Sequence, residues 1–121
     1  MSLLTYKVLH LFGMFVLFAA LGAITLRSAE GTEGKSKLAG LSHGLGLLLI
    51  LVSGFGLMAR LGLSHDWAWP TWVWLKLVIW LLLGASLVLV RRMPRLSTLW
   101  WWLIPLLGAA AAYLALFKPT F

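Results

Sequence analysis

Four side chains with chemical capability interrupt otherwise apolar stretches of this sequence: His10, His43, Lys76 and Tyr113. A neutral imidazole is a good axial ligand for haem iron and a ready proton acceptor. A lysine withdrawn from water can lose its proton and act as a ligand or base. If it stays charged, it can pair with a carboxylate such as a haem propionate. A tyrosine hydroxyl donates or accepts a proton beside either. His10 and His43 are the candidate metal ligands, and Lys76 and Tyr113 are the candidate catalytic groups. The chain has no cysteine. That excludes disulfides, thiolate metal sites, iron–sulfur clusters and haem attached through a Cys-x-x-Cys-His motif.

The elements that carry these groups are membrane spans. Of the 121 residues, 62% are hydrophobic and only 11% are charged, too few polar residues to cover a soluble core. The formal net charge is +7. The basic residues stand at the ends of apolar runs, a pattern of membrane topology and not of nucleic-acid binding. Four uncharged or nearly uncharged runs are long enough to cross a bilayer, which takes about 20 residues. They predict helices at about 6–26, 38–59, 70–90 and 96–117 within a single domain, 1–121. The first run exceeds a signal-peptide core and is read as a retained helix. The polar segment 27–37, the short connection 60–70 and the basic turn 91–95 link them. Such short links predict an all-α, antiparallel up-down bundle of four transmembrane helices. Six bases (Arg27, Lys35, Lys37, Arg91, Arg92, Arg95) fall on one side, against Lys7, Arg60 and Lys118 on the other. The richer side is therefore expected in the cytoplasm of a bacterial inner membrane, with both termini periplasmic.

Counting about 1.5 Å per residue gives each polar group a depth. His10 lies about 9 Å from the midplane on the N-terminal side, Lys76 about 7 Å and Tyr113 about 9 Å on that same side. Three helices thus deliver polar groups to one layer. Met14 and Met58 can line it, and Trp69, Trp72 and Trp74 can roof it at the interface. His43 falls about 12 Å out on the opposite side, beside Trp100, Trp101 and Trp102 and close to Arg91 and Arg92. A straight bundle separates it from His10 by about 20 Å, which disfavours one metal shared by both. Gly40 and Gly44 form a small-xxx-small pair, and Gly46, Ser53, Gly54 and Gly56 continue it, so the second helix is expected to pack closely. His65 and Asp66 lie in a connecting loop and are read as solvated.

The segments KVLHLFG, SHGLGLLLILVSGFGL and WVWLKLVIWLLLG resemble a group of small four-helix bacterial membrane proteins. In length and in the order His, His, Lys the chain is similar to the SirB type. In its first-helix histidine and third-helix lysine it is similar to the HemJ type of protoporphyrinogen oxidase. The resemblance covers roughly residues 7–92. HemJ-type proteins hold haem b and oxidise protoporphyrinogen IX, so the resemblance implies haem b or porphyrin contact at His10 and Lys76; Met14 and Trp72, placed in or above that layer by depth, are the further candidate cofactor contacts. Two function classes follow. One is a membrane protein binding a b-type haem or related tetrapyrrole in a redox or porphyrin-handling role, with oxidoreductase activity left open. The other is a non-catalytic accessory or scaffold subunit, in which His10, His43 and Lys76 only tie helices together. A transporter is a distant third, because four helices with few polar groups make a poor pathway. The expected partners are the lipid bilayer and a tetrapyrrole, with a homo-oligomer or larger complex open.

Overall fold

A computed structural model describes residues 2–31, 36–62 and 69–118. Four helices account for most of them: α1 (Leu3–Ala29), α2 (Lys37–Arg60), α3 (Thr71–Arg92) and α4 (Ser97–Phe117). Each is long and apolar enough to cross a membrane, the mark of a multi-pass membrane protein. The helix ends follow local chemistry. Ser2 and Ser36 cap α1 and α2 by accepting from the amides of Thr5 and Ala39, which satisfies orphan donors of the first turn. Gly31 and Gly62, with φ of +68° and +75°, follow the last residues of α1 and α2 and take the left-handed conformation that closes a helix. Pro70 precedes α3, and a 3₁₀ turn, Pro94–Leu96, leads into α4. The first helix extends about a turn beyond each end of its apolar run, because backbone hydrogen bonding does not stop where lipid stops. Lys7 and Arg27 are helical residues of α1.

Among the described residues α1 touches each of the other three helices, and α2 and α4 do not meet. Along α1 and α2 the pairings run in opposite order: Tyr6 with Gly56, His10 with Ser53 and Gly54, Gly13 with Ile50, Leu17 with Gly46. The approach is closest at Gly46. A Cβ there would stand 2.9 Å from the Leu17 amide nitrogen and 3.0 Å from the Gly13 carbonyl oxygen. Backbone meets backbone, which only glycine permits. Phe18 of α1 lies over Gly108 of α4. Near the basic turn, Ser28 Oγ donates to the Val90 carbonyl at 3.1 Å, and Ser97 Oγ stands 3.1 Å from Ser28 Oγ. This joins α1, α3 and the head of α4.

The largest buried cluster is Leu17, Leu21, Ile24, Ala39, Leu83, Val90 and Ile104. All of these residues belong to the half of the helices nearest the Ser28–Ser97 contact. In the other half Met58, Val73 and Leu114 are buried outside that cluster. The buried serine, threonine and histidine side chains are hydrogen-bonded, as a membrane interior favours, whereas the Trp100 indole Nε1 is buried without a partner among the described residues. Thr25 and Ser86 donate to the Leu21 and Leu83 carbonyls, each at 2.6 Å, and Ser97 donates to Pro94 at 2.7 Å.

Candidate functional site

The His10 ring is held by α2. Its Nδ1 lies 2.9 Å from Ser53 Oγ, and its edge rests on Gly54, where a Cβ would be 3.5 Å from Cε1. Ser53 has one hydroxyl proton, and the 2.6 Å contact with the Leu49 carbonyl takes it. Nδ1 therefore donates to Ser53. A carbonyl, a serine and an imidazole form a chain that fixes the tautomer and the ring's direction. Outer partners commonly hold a metal-binding histidine in this way. Ser53 is 1% exposed, so the chain is shielded from water. In the sequence Ser53 reads only as a small packing residue among glycines. Mirror counting across the α1–α2 connection, which pairs residue 10 with a position near 53, is the signal that finds it.

Lys76 of α3 is half-buried, on a helix that touches α1. The one acid among the described residues, Glu30, sits at the far end of α1, about 30 Å along the helix from His10. No described carboxylate therefore answers the Lys76 charge. A lysine inside the hydrocarbon layer is costly without a partner or a route to the interface. Met14 is half-buried on the same helix as His10, and Met58 is buried. Trp72 is half-buried, and the Lys118 ammonium stands 5.7 Å from its ring centroid, a cation–π contact. Tyr113, 54% exposed, stacks on Phe117 with centroids 4.7 Å apart. Trp69 packs between Phe55 and Trp74 at 5.8 and 4.7 Å, an aromatic group where α2 ends and α3 begins. His65 and Asp66 lie outside the described residues.

His43 is separate. Its Nε2 donates to the Leu83 carbonyl at 3.2 Å, and the side chain is 4% exposed. It lies ten residues from Ser53 along α2, about 15 Å, and the Arg91 charge reaches it. One helical turn on, Trp80 Nε1 donates to the Leu47 carbonyl at 3.0 Å. These two bonds tie α2 to α3. Among the described residues no three histidine, cysteine or carboxylate side chains gather as a metal-ion site. No protein-family model, curated protein or solved structure matches this chain.

Proposed function

We propose that this chain is a four-helix, up-down bacterial inner-membrane protein that holds a b-type haem or related tetrapyrrole at the His10 layer. The observation that supports this reading is a part-buried imidazole whose Nδ1 is held on Ser53, on a helix adjoining the one that carries half-buried Lys76, whose charge no described carboxylate answers. A bare metal ion needs three or four protein ligands, and this layer offers one imidazole. A metalloporphyrin supplies four in-plane nitrogens itself and asks the protein for only one or two axial ligands. Its propionates would also answer the Lys76 charge. In donor chemistry the residues fit such a group: His10 would hold the metal and Lys76 a propionate. Bound there, the group supplies one-electron redox chemistry. The protein's own part is to fix the imidazole, exclude water and balance charge. The resemblance of the first and third spans to HemJ-type proteins agrees with this assignment, and redox or porphyrin-handling activity is its functional content.

The test is an absorption spectrum of the detergent-purified full chain from haem-replete cells. A Soret band that sharpens on reduction is expected, lost in His10→Ala, weakened or shifted in Ser53→Ala and kept in His43→Ala. A colourless protein would replace this reading with the second one, a non-catalytic accessory subunit. That alternative draws on His43 and Trp80, whose polar atoms are spent tying α2 to α3.

A further inference from the structure

A groove of 190 Å³ runs between α1 and α4, lined by Phe18, Leu21, Gly22, Thr25, Trp101, Trp102, Ile104 and Pro105. It is remote from His10. Its one polar side chain, Thr25, has its hydroxyl turned to the Leu21 carbonyl, so the walls are apolar. The groove lies one turn from the Ser28–Ser97 contact, since Thr25 is three residues before Ser28 and Trp101 four after Ser97. Basic residues crowd that contact. Arg91 and Arg92 follow Val90, whose carbonyl Ser28 holds, and Arg95 precedes Ser97 by two residues. Arg95 is also seven residues, about two turns, before Trp102, which is 70% exposed at the groove's rim. Arg91 is half-buried and acts on His43, whereas Arg92 and Arg95 are exposed. Against them the described residues of this end carry one acid, Glu30.

An apolar furrow at membrane depth, with an indole at its rim and exposed Arg92 and Arg95 in the turn that leads into α4, matches a lipid in its parts. The chain takes the furrow, the glycerol backbone reaches the tryptophan level, and the phosphate meets the arginines. We propose that this groove is a binding site for an anionic phospholipid, with an acyl chain along Phe18, Gly22 and Pro105 and the headgroup phosphate at Arg92 and Arg95. Charge complementarity selects the class. A zwitterionic phospholipid carries its own cation to the same place and gains less.

Native mass spectrometry of the detergent-solubilised full chain, given equal amounts of phosphatidylglycerol and phosphatidylcholine, tests the site. Each engaged arginine is worth about five-fold in preference, so the phosphatidylglycerol adduct should exceed the phosphatidylcholine adduct by roughly ten-fold or more. The double variant Arg92→Gln/Arg95→Gln should lower that ratio at least about five-fold. Gly22→Leu should displace bound lipid of both kinds, because a Cβ at Gly22 meets nothing within 4 Å and the longer side chain has only the groove to fill; Gly22→Ala, which adds that Cβ alone, is the folding control. Arg60→Gln, at the opposite end of α2, should leave the ratio unchanged. Equal adducts of the two lipids, wild-type retention by Gly22→Leu, or an equal drop in Arg60→Gln would each overturn the proposal.

Discussion

Gly46→Ala should separate α1 from α2. The new Cβ would stand 2.9 Å from Leu17 N, 3.0 Å from Gly13 O and 3.0 Å from Leu17 Cα, where ordinary contact begins near 3.4 Å. All three atoms are backbone, so no rotamer change relieves the overlap. The helices must part by the difference between 2.9 and 3.4 Å, about 0.5 Å. A gap of that size forfeits roughly a quarter of the dispersion energy of the atoms that face it. Overpacking against an unyielding neighbour costs about 1–3 kcal/mol. Alanine's higher helix propensity offsets little, because membrane helices stay helical after they separate. The expected loss is about 2 kcal/mol, roughly thirty-fold in the folding equilibrium. Unfolding in mixed detergent–dodecyl sulfate micelles, followed by tryptophan fluorescence, measures it. Gly44→Ala is the control, since a Cβ at Gly44 meets nothing within 4 Å, and it should stay within about 0.5 kcal/mol of the parent. Gly56→Ala should fall between them, because its obstacle is the Tyr6 ring, a side chain that can swing aside. A Gly46→Ala protein as stable as the parent, or an equal loss in Gly44→Ala, would refute the reasoning.

His43→Leu removes the bond to the Leu83 carbonyl and should cost about 0.6–1.7 kcal/mol in the same unfolding assay. The low end is expected, because Ser86 still donates to that carbonyl. Lys76→Met should weaken or shift the Soret band without lowering the unfolding midpoint; an unchanged spectrum would make Lys76 a lysine that merely reaches for the interface. For topology, a C-terminal alkaline phosphatase fusion should be active and a green fluorescent fusion dark, and the reverse would place the basic turn outside.

The spans were legible because a bilayer reads length and charge, and both are explicit in this sequence. Counting residues also puts His10 and Lys76 at one depth, on helices that touch in the structure. Rotation about each helix axis was not legible. These helices are apolar on every side, so the pattern that reveals a soluble helix's inner face is missing. Hence Tyr113, grouped by depth with His10, lies more than half exposed, and depth alone could not show it. The partner of His43 was hidden for another reason. It is a backbone carbonyl, and every residue has one. Ser53 is hidden in the sequence because a serine among glycines reads as a small packing residue, and only the α1–α2 register shows its hydroxyl level with His10.

The off-centre core gives α3 the mechanics of a lever. Leu83, Ser86 and Val90 are buried at one end of it, and Val73 is the buried residue at the other. With the fulcrum near Val90, Val73 lies about 25 Å out along the helix, so a tilt of about 5° carries it about 2 Å sideways. Such a tilt would widen the His10 layer while the cluster around Leu17 and Leu21 stays intact. Admission of a flat, bulky guest would then require leaning one helix and not repacking four. The amides around residues 73–79 should accordingly exchange with solvent deuterium earlier than those around 83–90 of the same helix.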